Sequence, residues 1–254
     1  MSKIVLITGA TAGIGEATAK IFAKNNFNLI LTGRRANKLS DLKNDITSEF
    51  PKVLIQTLQF DIRDKEATAN AYNSLSEEWK NIDVLINNAG LAAGLDPIHT
   101  GSLEDWDQMI DTNVKGLLYI TRLVTPGMTE RRSGHIINVS SIAGKESYPN
   151  GSVYCGSKHA VSSITKAMRI DLAPFNVKVG AICPGMVETE FSLVRFKGDQ
   201  GKADSVYQGV TPLYAEDIAE TIYFMASRPA HVNIDDVLIM PTAQASSRDV
   251  VRNS

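Results

Sequence analysis

The chain has 254 residues, 43% of them apolar, with 26 Lys+Arg against 28 Asp+Glu and two cysteines. A chain of this length buries about 70% or more of its unfolded surface without disulfide staples, and its composition excludes collagen-like, disordered and disulfide-scaffold classes. A formal net charge of −2 speaks against a nucleic-acid binder with a basic face, while Cys155 and Cys183, far apart and in no CxxC, point to a reducing compartment.

The first apolar run, Ile4–Thr8, reads as a strand, and only four of its residues, Ile4 to Ile7, form a continuous apolar stretch. That is too short for a secretory signal or a membrane span, so a soluble, cytoplasmic protein is expected. Directly after it comes Thr8-Gly9-Ala10-Thr11-Ala12-Gly13-Ile14-Gly15, followed by the helical pattern Gly15–Lys24. Glycines between a strand and a helix permit a tight turn and let backbone approach a pyrophosphate at the helix N-terminus. A second strand, Asn28–Thr32, ends in Gly33-Arg34-Arg35 with no carboxylate before Asp41. An acidic residue here would select NAD, whereas adjacent guanidinium groups suit the 2′-phosphate of NADP.

Lys38–Glu49 has helical period, and Val53–Phe60 reads as a third strand ending in Asp61-Ile62, where a carboxylate can accept from an adenine amino group. A helical stretch over Asp64–Trp79 leads to a fourth strand, Asp83–Asn87, and then to Asn88-Ala89-Gly90, small enough to pack closely against a cofactor. Further strands are expected at His135–Ser140, Lys178–Ile182 and Val237–Met240. Alternating strands and helices predict an α/β, Rossmann-type, doubly wound and mostly parallel seven-stranded sheet with helices on both faces. The motifs occupy one domain, 1–254, in which Gly185–Tyr207 reads as a mobile loop or short helices and Ala243–Ser254 as a tail ordered by a neighbour. The four histidines show no metal-ligand spacing, so no metal is expected.

Ser141 follows the fifth strand, and Tyr154-Cys155-Gly156-Ser157-Lys158 follows it in turn. On a helix, Tyr154 and Lys158 share a face. An ammonium beside a phenol favours the phenolate and lowers its pKa, giving an acid/base for neutral pH. Ser141 can hydrogen-bond the same substrate oxygen, and Asn113 can orient a proton relay.

On these motifs, together with Pro184-Gly185 and Thr189, the chain resembles the short-chain dehydrogenase/reductases over residues 3–240. The resemblance implies Tyr154 as proton donor, Lys158 on the nicotinamide ribose, Ser141 on the carbonyl and Asn113 on a relay water. It also implies a cofactor site of Gly9, Ala10, Thr11, Ala12, Gly13, Ile14, Arg34, Arg35, Asp61, Ile62, Asn88, Gly90, Tyr154, Lys158, Pro184, Gly185, Val187 and Thr189. Cys183 stands where the family often has Asn, and Ala12 replaces a basic residue of some NADP-dependent members, leaving Arg34 and Arg35 to carry the phosphate preference. The stretches 88–97, 104–113, 194–199 and 229–234 are similar to the NADP-dependent 3-hydroxy acid dehydrogenases and their sulfoacetaldehyde-reducing relatives. Such substrates are short and anionic, which implies a cation near the nicotinamide: Arg195 first, Lys197 second, with Tyr148 opposite and Ser141 and Tyr154 completing the substrate site. A homotetramer joined through the helices around 104–132 and 154–174 is also expected from the family, with no nucleic-acid or membrane partner. A reductase of bulky neutral carbonyls and a non-catalytic NADP sensor are the competing readings.

Overall fold

The computed structural model describes residues 2–253; Met1 and Ser254, the outermost residues of the expected domain and tail, lie outside them. Seven strands form a single sheet: β1 (Ile4–Ile7), β2 (Asn28–Gly33), β3 (Ile55–Gln59), β4 (Val84–Asn87), β5 (Gly134–Val139), β6 (Val177–Pro184) and β7 (Asp236–Ile239). Their order is β3-β2-β1-β4-β5-β6-β7. The pairing is parallel throughout, without the antiparallel contribution that a mostly parallel sheet allowed. The third strand starts at Ile55 rather than Val53, because the Val53 N–H is spent on Phe50 O at 3.0 Å in a turn.

Helices α1 (Gly13–Lys24), α2 (Ala36–Glu49), α3 (Lys65–Asn73), α4 (Leu103–Ile110), α5 (Leu117–Glu130), α6 (Ser152–Leu172), α7 (Glu190–Arg195), α8 (Gln200–Tyr207) and α9 (Ala215–Ala226) connect them. Helix α3 is shorter than the expected 64–79 segment and stops at Ser74, whose Oγ donates back to Ala71 O. Alternation along β1 divides the core. Val5 and Ile7 face a cluster with Phe22 of α1, Leu39 and Ile46 of α2, and Ile222 of α9. Ile4 and Leu6 face the opposite cluster, with Tyr72 of α3 and Ile120 and Val124 of α5. Strands sealed from both sides explain why β1 and β4 are almost purely apolar and why β2 is apolar through its middle, Leu29 to Leu31.

Of the two alternatives open for 185–207, a mobile loop or short helices, the structure has short helices, and the tail is ordered as well. The segment after β6 forms α7 and α8, capped at Thr189 and Asp199 by their own side chains. The tail is held by its own chain. Gln244 is buried and accepts from Met186 N at 2.8 Å, Val251 N donates to Ala243 O at 2.8 Å, and Asn253 N donates to Gly209 O at 2.9 Å.

One polar side chain stands apart from this core. His135 on β5 is buried, and neither ring nitrogen finds a hydrogen-bond partner among the described residues. Burial, with Lys178 beside it, pushes its pKa down from 6.5 to about 3. A folded pKa below the unfolded one means stability present above pH 6.5 and lost as pH falls towards about 3. His135→Leu should therefore raise Tm modestly at pH 8 and by a larger margin at pH 5, as read by thermal melts at both pH values. An equal shift at both would mean that the histidine's charge is immaterial.

Candidate active site

The carboxyl ends of β1 and β4, where the chain turns from one half of the sheet to the other, open into a cleft of about 360 Å³. Gly9 and Gly13 adopt positive φ, 67° and 53°, a region costly for residues with a Cβ. Gly15 is fixed by space instead, since a Cβ there would strike the Gly9 carbonyl and the Asn88 amide. The turn is cross-tied to β4: Asn88 Nδ2 donates to Thr8 O (2.9 Å) and Gly9 O (3.1 Å), and Thr8 Oγ1 accepts from Asn88 N and Ala89 N, both at 3.0 Å. Helix α1 starts at Gly13 without a side-chain cap, so its first-turn N–H groups are available to an anion.

This cradle fits a dinucleotide. Gly9, Thr11, Ala12, Gly13, Ile14, Arg34, Arg35, Asp61, Ile62, Asn88, Gly90, Pro184, Gly185, Val187 and Thr189 line it, continuous with Ser141, Tyr154 and Lys158. Ala10 is a correction. It is fully buried among core residues, its N–H donating to Thr32 O at 2.9 Å, and it does not line the cleft. Asp61 does line the cleft, but Arg63, unnoticed in the sequence, grips it through Nη2 at 2.6 Å and Nε at 3.0 Å and holds its pKa down. Arg34 lies 3.8 Å from the same carboxylate with its side chain 56% exposed. Arg35 folds back onto the glycine turn, its Nη2 donating to Thr11 Oγ1 at 3.0 Å, while Nη1 pairs with Glu190 at 2.9 Å.

At the other end Ser141, the N-cap of a single helical turn over Ile142–Gly144, accepts from Ala143 N at 3.1 Å and lines the cleft together with Tyr154. Tyr154 and Lys158 share the inner face of α6. The expectation that Lys158 lowers the Tyr154 pKa is not met. The Lys158 Nζ lies 5.9 Å from the phenol ring centroid and donates to Val139 O at 2.9 Å. Burial dominates both groups. It pushes the phenol well above its usual range, with Tyr148 adding to the rise and Ser141 and Arg195 opposing it, and it pushes the Lys158 ammonium down to about 8. Asn113 sits in a π-helical turn, Asp111–Gly116, a distortion common at functional sites. Its side chain is committed to Leu91, exchanging two 2.8 Å hydrogen bonds with that backbone, and to Ser157 at 3.0 Å. It braces the wall of the cleft.

Arg195, the last residue of α7, donates to Gly94 O at 3.2 Å and to the Tyr148 hydroxyl at 3.3 Å. Its guanidinium carbon is 5.8 Å from the Tyr154 ring centroid, and no carboxylate pairs with it among the described residues. Lys197, by contrast, is paired with Asp105 at 2.9 Å. Phe191 on α7 packs edge-on to Tyr154 at 5.8 Å between centroids, a contact invisible in the sequence. Among the described residues, no three His, Cys, Asp or Glu side chains gather as metal ligands, and no helix is long and apolar enough to cross a membrane.

The family model for short chain dehydrogenases matches residues 3–199. The NADP-dependent 3-hydroxy acid dehydrogenase YdfG of Salmonella typhi is 49% identical over 243 residues, covering 95% of this chain and 96% of that protein. Sulfoacetaldehyde reductase 2 of Chromohalobacter salexigens is 45% identical, covering 97% of each. A closed serine dehydrogenase complexed with NADP+ superposes with a TM-score of 0.91 at 46% identity, covering 99% of this chain and 100% of that one.

The tightest demand in the cradle is at Gly15. Gly15→Ala should displace the turn from Asn88 and weaken dinucleotide binding by about tenfold or more, with the far-ultraviolet dichroism unchanged. Titration of cofactor fluorescence measures it, and wild-type affinity would show that the turn tolerates a methyl group.

Proposed function

The chain belongs to the short-chain dehydrogenase family, and from that premise we propose that it reduces a short anionic aldehyde or ketone to the hydroxy acid with NADPH, reversibly with NADP. Malonic semialdehyde and sulfoacetaldehyde are the substrates of choice, with serine and 3-hydroxy acids in the reverse direction. Support for NADP comes from relatives named as NADP-dependent, from a solved relative complexed with NADP+, and from Arg34 and Arg35 at the end of β2. Support for an anionic substrate comes from one observation above all: Arg195 stands beside Tyr154 with no carboxylate on it among the described residues. A guanidinium held by Tyr148 and the Gly94 carbonyl keeps its direction and presents its charge to a carboxylate or sulfonate alike.

Bound NADPH supplies the hydride to the carbonyl carbon. Ser141 and Tyr154, which line the cleft side by side, hold the carbonyl oxygen, and the Tyr154 hydroxyl delivers the proton. Burial raises the phenol pKa, which keeps this proton on Tyr154 at neutral pH, the state that reduction requires. Lys158, which lines the cleft anchored at Val139 O, would hold the nicotinamide ribose, and Asn113 braces the wall of the cleft through Leu91 and Ser157. In this reading the enzyme is a cytoplasmic homotetramer. Exposed Leu118 on α5 and Ile170 on α6 support the expected contact helices, and the free, buried Cys155 and Cys183 suit a reducing compartment.

Three measurements test this reading. Arg195→Ala should raise KM for malonic semialdehyde and sulfoacetaldehyde by about tenfold or more while changing activity on a neutral aldehyde little; equal losses on both remove the anion anchor. Tyr154→Phe should lower kcat/KM by about 10²–10⁴. In the wild type, reduction should hold level through neutral pH and decline above about 8 as Lys158 loses its charge, whereas oxidation, which needs the phenolate, should climb with pH through neutrality. Parallel pH profiles in the two directions would contradict the assignment of Tyr154.

A further inference from the structure

We propose that Glu190 is a specificity-determining residue for the cofactor: its carboxylate competes with the 2′-phosphate for Arg35 and so sets how strongly NADPH is preferred over NADH. The inference rests on the NADP reading above and adds a residue to it.

Arg35 is not a free guanidinium awaiting a phosphate. Its Nε and Nη2 donate to Thr11 Oγ1 at 3.3 and 3.0 Å, Nη2 also reaches Thr11 O at 3.2 Å, and Nη1 holds Glu190 Oε2 at 2.9 Å. Most of its N–H donors are therefore committed, and a bidentate grip on a phosphate requires it to let one partner go. Thr11 belongs to the cradle itself. Glu190 is the dispensable partner, because both side chains of that pair are nearly half exposed, 44% for Arg35 and 47% for Glu190. A carboxylate at hydrogen-bond distance from this guanidinium would also stand beside any phosphate bound to it, and like charges repel.

The position of Glu190 gives the exchange a second consequence. Glu190 opens α7 and Arg195 closes it, so this six-residue helix, about 9 Å long at about 1.5 Å per residue, runs from the phosphate end of the cleft to the anion anchor. The preceding Thr189 packs on the glycine turn, with its Cγ2 3.0 Å from where a Cβ on Gly13 would stand. Release of Glu190 by the phosphate leaves α7 held at its start by Thr189 and at its end by the contacts of Arg195 with Gly94 and Tyr148. Glu190 thus acts on the cofactor by positioning Arg35.

The experiment is equilibrium titration of the intact enzyme and of Glu190→Gln with NADPH and with NADH, followed by cofactor fluorescence without substrate. The glutamine keeps the side chain's size and removes its charge. It should tighten NADPH by roughly two- to fivefold, the range of an exposed ion pair, and leave the NADH Kd unchanged. The gain should shrink as salt is raised. An unchanged or weaker NADPH Kd, or equal shifts for both cofactors as expected from loosening of α7, would overturn the proposal. A wild type that binds NADH as tightly as NADPH would overturn the NADP reading itself, and the role of Glu190 with it.

Discussion

Both halves of the cleft depend on the tie between the ends of β1 and β4. Thr8 Oγ1 accepts two backbone N–H groups from Asn88 and Ala89, and the Asn88 amide returns two hydrogen bonds to the carbonyls of Thr8 and Gly9. In a parallel sheet these strand ends diverge into separate connections, which takes the carbonyls of Thr8 and Gly9 and the N–H groups of Asn88 and Ala89 out of the ladder and leaves them to be satisfied by side chains. Satisfying them reciprocally fixes the path of the glycine turn on one side and of Ala89–Leu91 on the other. Leu91 then meets Asn113, Asn113 meets Ser157, and Ser157 lies on α6 between Tyr154 and Lys158. A continuous run of hydrogen bonds and chain connects the phosphate cradle to the proton donor.

That rigidity permits a site in which burial, rather than pairwise charge, sets the protonation states. A phenol and an ammonium under solvent exchange would titrate near their ordinary values. Here the phenol is driven upward and the ammonium downward, so the forms that carry no charge gain ground in both. The arrangement favours giving a proton over taking one, which matches a reductive direction. Arg195 supplies the opposing influence. Its charge near the Tyr154 ring lowers the phenol pKa, and an anionic substrate that neutralises it would push the phenol still further toward the protonated donor.

Much of this was legible in the sequence, for reasons that differ by element. Strands such as Ile4–Ile7 and Val84–Asn87 announce themselves because both faces are buried, and glycine positions announce themselves because backbone geometry leaves no alternative at Gly9, Gly13 and Gly15. The spacing of Tyr154 and Lys158 was readable because both lie on one helix. What could not be read was the direction of the pKa shift, since neighbouring letters suggest a charge contact while burial comes from distant segments, with Phe191 packed on Tyr154 and Val139 of β5 on Lys158. Ala10 was misplaced for a similar reason: membership of a turn does not reveal which residue of it points inward. Arg63 beside Asp61 was within reach, two positions along the chain.

The contact between Arg35 and Glu190 spans 155 positions and leaves no periodic or local trace in the chain. Its existence alters the meaning of the Arg34-Arg35 pair, which in the sequence stands simply as positive charge offered to a phosphate. In the folded protein the two arginines are different groups. Arg34 extends toward solvent near Asp61, while Arg35 is already engaged by the glycine turn and by the helix that ends in Arg195. On the proposed roles of Glu190 and Arg195, cofactor selection and substrate anchoring meet on a single short helix. A near-zero net charge conceals this, because the cations proposed for phosphate and small acid are balanced by carboxylates elsewhere and, at Glu190, by one within the cleft itself.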